Sequence, residues 1–185
     1  MFWSLVPGVT IWSLFESVTH WVYASGKLAI PDPGYQPVYF TAMVWIVFFW
    51  NTIHFYCIHR LLHWQPMCKY FHELHHRNIY IGPWSGLSMH PVEHVLYFPS
   101  LALWWLVPVH PVIILLTALV LGLAPTITHA GFEQLVLNGS RRVYLSDWFH
   151  QLHHQYFTVN YGNVITPLDK VFGSWHNGTS GTLAP

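Results

Sequence analysis

The chain has 185 residues, of which 8% are charged, 53% are hydrophobic and 18% are aromatic. Soluble domains carry about three times that share of charged residues, so the composition indicates that water is not the main solvent. Seven basic residues balance seven acidic ones. This balance leaves no basic surface for a phosphate backbone, and nucleic acid is excluded as an expected partner.

Three apolar stretches are long enough to enter a bilayer, at residues 2–24, 38–58 and 95–128. About 20 helical residues cross a hydrocarbon core of about 30 Å. The third stretch is too long for one crossing, and its Pro108 and Pro111 predict a tight helical hairpin. We therefore expect an all-helical integral membrane protein with about four transmembrane helices, two of which form the hairpin.

Two polar segments, residues 60–94 and 129–176, lie between and after these stretches. Six of the seven basic residues fall in them: Arg60, Lys69, Arg77, Arg141, Arg142 and Lys170. The positive-inside rule places both segments in the cytoplasm and leaves Lys27 on the far side. The expected location is the endoplasmic reticulum membrane in a eukaryote or the inner membrane in a bacterium.

Histidine is the unusual residue, with 15 copies in the chain. Most lie in the motifs HRLLH, HELHH and HQLHH, whose i, i+3 and i+4 spacing puts the imidazoles on one side of a helix, and one more opens HAGFE at the end of the hairpin. We expect these side chains to meet at one membrane boundary as metal ligands: His59, His63, His72, His75, His76, His129, His150, His153 and His154.

One H-x-x-H-H pattern is expected by chance on the order of 0.1 times in such a chain, and two are expected well below about 0.01 times. Histidine clusters without cysteine argue against a structural zinc finger, and nine nitrogens exceed the needs of one ion. The spacing therefore predicts two metal ions. A redox-active pair can activate O2, which a d10 zinc ion cannot do.

Other histidines are less informative. His90 and His94 in MHPVEH have ligand spacing, but Pro91 and the nearby hairpin start also suit a turn with polar caps, and both interpretations stay open. Isolated histidines are more often hydrogen-bonded packing residues than ligands. We interpret His20, His54, His110 and His176 in that way.

HRLLH, HELHH, HAGFE and HQLHH, in this order around a hydrophobic hairpin, resemble the fatty acid hydroxylase and sterol desaturase superfamily over roughly residues 50–178. MHPVE and the tail VNYGNVITPLDKVFGSW are more similar to the sterol C-5 desaturase branch. The resemblance implies a cytoplasmic cap on a four-helix membrane scaffold. Residues 1–49 then hold the first membrane helix, a loop and the start of the second helix, and residues 179–185 form a tail.

The resemblance also implies two iron ions, with zinc as a possible substitute, O2 as co-substrate and a lipid substrate from the bilayer. Electrons would come from a separate protein, either cytochrome b5-like or a ferredoxin with its reductase. The nine histidines above are the ligands that it implies. Where fatty acid hydroxylases have another histidine four residues after His129, this chain has Glu133, so Glu133 or His90 is a candidate for an additional ligand.

Asp147 and Asp169 are candidates to orient imidazoles from behind, although a role as helix caps suits them equally. No separate catalytic acid or base is evident. The expected function is O2-dependent hydroxylation or desaturation of a sterol, fatty acid or related lipid. The alternatives are a membrane metal transporter or metal-binding protein, in which ligands would be distributed through the membrane, and an inactive family member that binds lipid.

Overall fold

The computed structural model describes residues 2–32, 34–132, 134–144 and 147–179, without the side chains of Tyr144 and Asp147. The described part is mostly helical. Its α-helices are α1 (Val9–Ala24), α2 (Pro37–Leu62), α3 (Gln65–Met67), α4 (Glu73–His76), α5 (Pro91–Tyr97), α6 (Pro111–Thr128), α7 (Asp147–Tyr156) and α8 (Leu168–Val171). Ser4–Gly8 and Cys68–His72 are π-helical, and Phe98–Trp105 is a 3-10 helix.

Helix α2 is one of two described helices that are long and apolar enough to cross a membrane. Pro37 occupies its first turn, where a missing amide donor costs nothing, and Gln36 before it is not helical. The 26 residues span about 39 Å, which exceeds the bilayer core by about 9 Å. The helix ends at its histidines, with His63 as the C-cap.

Helix α6 is the second such helix. The ring of His110 caps its start by accepting a hydrogen bond from the amide of Val112 at 3.3 Å. Pro125 lies inside the helix and cannot donate to the carbonyl four residues earlier, that of Leu121. The hydroxyl of Tyr97 donates to that carbonyl at 3.1 Å instead. A side chain from α5 thus replaces the missing backbone bond in an apolar environment.

The core lies between α1, α2, the 3-10 helix and α6, around Phe98, Leu101 and Trp104. The indole of Trp104 donates to the Thr117 hydroxyl at 2.8 Å, so its polar atom is satisfied. On the opposite sides of α2 and α6, apolar side chains recur every four residues and are exposed: Trp45, Phe49 and Ile53, and Leu115, Leu119 and Leu123. Such rows suit contact with lipid tails.

The structure corrects two expectations about the fold. The turn of the hairpin lies where Pro108 and Pro111 predicted it, but the arm leading to it is not one α-helix, since α5 gives way to the 3-10 helix at Phe98. Pro99 in the first turn of that segment has no amide donor for a continuing α-helix. Helix α1, with 16 residues, and this arm, with 7 α-helical residues followed by 8 residues of 3-10 helix, are both shorter than α2, which has 26.

The prediction of an all-helical chain is wrong, because strands β1 (Gln134–Leu137) and β2 (Arg141–Tyr144) form an antiparallel hairpin. Asn138, Gly139 and Ser140 connect them, and the first two residues have φ of 50° and 72°. Asn-Gly is the strongest short sequence signal for such a turn, because both residues tolerate positive φ.

Gly86 provides a test of the packing between the loop before α5 and helix α6. A Cβ on Gly86 would lie 2.3 Å from the carbonyl oxygen of Pro125, whereas a Cβ on Gly82 would meet nothing within 4 Å. We expect Gly86→Ala to destabilise the protein by about 1–3 kcal/mol and Gly82→Ala to leave its stability nearly unchanged. Thermal unfolding in detergent measures both variants, and equal melting temperatures would contradict this packing.

Candidate metal centre

Four parts of the chain deliver histidines to one place. His59 and His63 come from the end of α2, and His129 is the C-cap of α6. The segment Cys68–His72 and helix α4 carry the HELHH motif, and α7 carries HQLHH. All but one of the nine predicted ligands are buried, and His63 is partly buried. The i, i+3 and i+4 spacing therefore produces the converging side chains that it predicted.

The nine imidazoles form two groups, within each of which the potential ligand atoms all lie within 4.8 Å of one another. The five-histidine group consists of His59, His63, His72, His76 and His153. The four-histidine group consists of His75, His129, His150 and His154. Each H-x-x-H-H motif contributes to both groups, as a motif that serves two ions would.

Ring nitrogens in these groups point at each other. In the five-histidine group, Nε2 of His76 lies 3.1 Å from Nε2 of His63, His72 and His153. In the four-histidine group, Nε2 of His154 lies 3.3 Å from that of His129 and 3.2 Å from that of His150. Neighbouring nitrogens around an ion at about 2.0–2.1 Å are about 2.9–3.4 Å apart in octahedral or tetrahedral geometry. The spacing of the donors fits a bound metal in each group.

Hydrogen bonds made by Nδ1 determine which ring nitrogen carries the proton in several of these imidazoles. The Nδ1–H groups of His59, His153 and His129 donate to the carbonyls of Tyr161 at 2.6 Å, Val159 at 2.6 Å and Pro125 at 2.7 Å. With Nδ1 protonated, Nε2 carries the free lone pair. Such backing orients a ligand and raises its basicity.

Glu93 backs a fourth imidazole and was missed by the sequence analysis. Its Oε2 accepts a hydrogen bond from Nδ1 of His72 at 2.5 Å, and its Oε1 accepts from the backbone amide of His90 at 2.8 Å. The side chain is fully buried. Its position three residues after His90 is that of a capping box, which is the signal that could have identified it.

Asp169 acts on the five-histidine group through a loop. Its carboxylate accepts hydrogen bonds from the amides of Tyr161 and Gly162, both at 2.8 Å, and from the Ser174 hydroxyl at 2.7 Å. This loop supplies the carbonyls that hold His59 and His153. The carboxylate makes no described contact with an imidazole.

Asn160 anchors the same loop and was also missed. It is fully buried with φ of 54°, and its amide donates to the carbonyls of Phe149 at 3.2 Å and His176 at 3.0 Å. Its Oδ1 accepts from the amide of His176 at 2.7 Å. The buried network thus ties the loop to α7 and to the segment after α8. Asn160 is followed by tyrosine and not by glycine, so no Asn-Gly turn motif identifies it in the sequence.

Burial lowers the pKa of His72, His75, His150 and His153 well below the ordinary imidazole value, and neighbouring imidazoles lower it further. The same causes lower the pKa of His154 to about 3. These rings are neutral near neutral pH. Neutral imidazole is the form that binds a metal ion without first losing a proton.

The other candidates that the structure describes belong to neither histidine group. His90 caps α5, with Nδ1 accepting from the Val92 amide at 3.2 Å, which is the second of the two roles left open for it. His94 is buried beside Phe98 and is in neither group. Glu133 lies outside the described residues, as does the side chain of Asp147. His176 is buried in the Asn160 network.

A cavity of about 110 Å³ adjoins both groups. His59 and His72 line it from the five-histidine group, and His75, His129 and His150 line it from the four-histidine group. The remaining wall is mostly apolar and includes Phe48, Phe55, Ile58, Leu62, Met89, Tyr97, Val120 and Ala124. The arrangement gives an apolar molecule access to both groups.

Comparison with known proteins bears on this arrangement. A family model described as fatty acid hydroxylase matches residues 44–174, which include all nine histidines. The chain belongs to the fatty acid hydroxylase family. Its histidine motifs, cavity wall and backing loop all lie within the matched residues.

Curated proteins that are similar to this chain include sterol enzymes. A delta(7)-sterol 5(6)-desaturase of Gibberella zeae is 30% identical over 78% of the chain and 44% of the relative. Another, of Aspergillus fumigatus, is 29% identical over 85% of the chain and 54% of the relative. A methylsterol monooxygenase of Gallus gallus is 31% identical over 64% of the chain and 41% of the relative.

These matches confirm the expected likeness to the sterol desaturase branch. The chain spans about half the length of the curated relatives that it matches. No solved structure matches it.

The link from Asp169 to the histidines can be tested by metal binding. Asp169→Asn replaces an acceptor by a donor beside two amides, so the Tyr161 and Val159 carbonyls should shift. We expect metal affinity of the five-histidine group to fall about tenfold or more, with less effect on the four-histidine group. Competition with a chelator, followed by metal analysis, measures both. Glu73→Gln, an exposed change within HELHH, is the control, and equal affinities in the two variants would rule out the link.

Proposed function

We propose that this protein is an integral-membrane oxidoreductase that uses O2 to hydroxylate or desaturate a C–H bond of a sterol, fatty acid or related lipid. The observation that carries the proposal is the pair of histidine groups at the wall of an apolar cavity. The family and the sterol enzymes among its relatives support the reaction class. Their names describe those proteins, and the substrate of this chain is part of the proposal.

The nine histidines hold two metal ions in this proposal, one in each group, and Glu133 remains a candidate for a further ligand. Imidazole binds iron and zinc, but only a redox-active metal suits oxidation. Two iron ions, when bound, supply O2 activation and electron transfer. Neutral, backed imidazoles retain such ions without proton release, and Glu93 with the 159–162 loop holds the rings in place.

The cavity wall positions the lipid and excludes water. Phe55 and Tyr97 form part of the wall between α2 and α5, so a lipid tail in the cavity lies against the histidines of both groups. An apolar site limits side reactions with water during oxidation. The reacting carbon is selected by how far the lipid enters.

The proposed topology has four crossings. Two are α2 and α6, and the other two are α1 and the arm formed by α5 and the 3-10 helix. Six of the seven basic residues lie in the segments that carry the histidines, which supports a cytoplasmic metal centre. We propose the endoplasmic reticulum membrane for a eukaryotic host and the inner membrane for a bacterial one. Electrons then reach the centre from a separate cytochrome b5-like protein or a ferredoxin with its reductase, and residues 50–178 form the catalytic domain.

The two alternatives differ from this proposal in measurable ways. A metal transporter would carry ligands along the membrane, whereas the two groups lie together at the ends of α2 and α6. An inactive lipid-binding member would hold metal or lipid without oxidation. Oxidation products from a lipid extract, measured by mass spectrometry with O2 and a reductase system, separate these cases.

Neighbouring histidines of α7 provide the first test, because His153 belongs to the five-histidine group and His154 to the four-histidine group. We expect about two iron ions per chain in protein expressed with ample iron. His153→Ala and His154→Ala should each lower the content by about one ion and abolish lipid oxidation. Mass spectrometric metal analysis and product analysis are the measurements.

His110→Ala is the matched control, since His110 caps α6 away from both groups. It should retain both ions. Wild-type protein that holds one ion or none would contradict the proposal, as would full metal content in both α7 variants.

A further inference from the structure

The cavity continues well beyond the metal centre along α2. Seven side chains of that helix line it, from Phe48 to Leu62, over about 21 Å of helix axis. Asn51 is near the Phe48 end of this lining, eight residues and about 12 Å before His59. The wall around it is apolar, so a polar group there needs an explanation.

Most polar side chains in this wall have partners. The Thr52 hydroxyl donates to the Phe49 carbonyl at 2.8 Å, the Tyr97 hydroxyl donates to Leu121, and that of Thr128 donates to Ala124 at 3.1 Å. Glu93 accepts from His72 and His90. These groups are satisfied within the protein and make no demand on a ligand.

Asn51 differs, although it is only 8% exposed. Its Oδ1 accepts from the Ser100 hydroxyl at 2.5 Å, and the Ser100 carbonyl accepts from the Trp50 indole at 3.0 Å. These bonds fix the amide, but its Nδ2 is buried and has no partner in the described part of the chain. Apart from the imidazoles, no other buried lining nitrogen or oxygen in that part lacks one. An amide donor left unpaired in an apolar site is costly.

We propose that Asn51 is a specificity-determining residue, whose Nδ2 donates a hydrogen bond to an oxygen atom of the lipid substrate. This inference rests on the proposed function and adds the substrate class: an elongated, mostly apolar lipid with a hydroxyl or ketone oxygen about 12 Å from the carbon that is oxidised. The Ser100 hydroxyl occupies Oδ1 of the amide, which leaves Nδ2 as the atom without a partner that is able to donate. A hydrocarbon of the same shape leaves the donor unpaired and binds more weakly.

The geometry also limits which end of the lipid reacts. Because Asn51 and the histidines are at opposite ends of the same lining of α2, the oxygen bound by Asn51 is remote from the reacting carbon. A sterol whose ring hydroxyl binds Asn51 presents carbons toward the opposite end of its skeleton to the metals. Asn51 therefore fixes both the orientation and the depth of the lipid.

The test compares cholestanol with cholestane, which differ by one hydroxyl, and with cholestanone, whose oxygen only accepts hydrogen bonds. Binding to detergent-purified, metal-containing protein is followed by tryptophan fluorescence, without O2 or reductant. We expect wild-type protein to bind cholestanol and cholestanone about tenfold more tightly than cholestane. In Asn51→Leu, of similar shape, that ratio should fall to about one.

Thr52→Val is the matched control, because Thr52 lines the same cavity with a hydroxyl that already has a partner. It should retain the wild-type preference. Equal binding of the three probes by wild-type protein overturns the inference without any variant, and so does a preference that survives Asn51→Leu. Metal analysis of the same samples keeps the two proposals apart, because a protein that holds two ions but shows no preference contradicts only the role of Asn51.

Discussion

The structure depends on a constraint that nine imidazoles impose on one another. Ring nitrogens face each other at 3.1 Å here, and two unprotonated nitrogens at that distance repel each other unless a cation lies between them. Four of the nine rings are held through the opposite nitrogen, which donates to the carbonyl of Pro125, Val159 or Tyr161 or to Glu93. The ends of the two long apolar helices, the 159–162 loop and α5 are all placed by these bonds. Scaffold and centre therefore form one hydrogen-bonded unit.

The sequence predicted which histidines converge, because i, i+3 and i+4 spacing determines which side chains share a side of a helix. It did not predict how they divide. His75 and His76 belong to different groups, as do His153 and His154, since consecutive helical residues point about 100° apart. Which neighbour belongs to which group depends on how α4 and α7 are rotated against α2. A single sequence does not determine that rotation.

The groups behind the histidines were harder to predict for a related reason. Asp169 was a candidate to orient imidazoles, yet it reaches them through a loop, and Asn160 and Glu93 were missed altogether. These contacts join residues that are far apart in the chain or depend on an unusual φ. The β-hairpin, in contrast, could have been predicted, because its Asn138-Gly139 signal is local in the sequence. Two of the apolar helices followed directly from length and composition.

The hydrogen bond from Tyr97 to the Leu121 carbonyl, which Pro125 leaves without a backbone donor, limits where residues can be inserted in the chain. It fixes α5 against α6 two turns before His129. The length of the segment between Leu121 and His129 therefore determines where the His129 side chain lies. One inserted residue there would turn His129 by about 100° and advance it by about 1.5 Å, away from its group. Insertions in the turn before Pro111, at the far end of α6, leave the distance from Leu121 to His129 unchanged. Length variation among natural or engineered sequences should therefore accumulate at that turn and be rare on the metal side of Leu121.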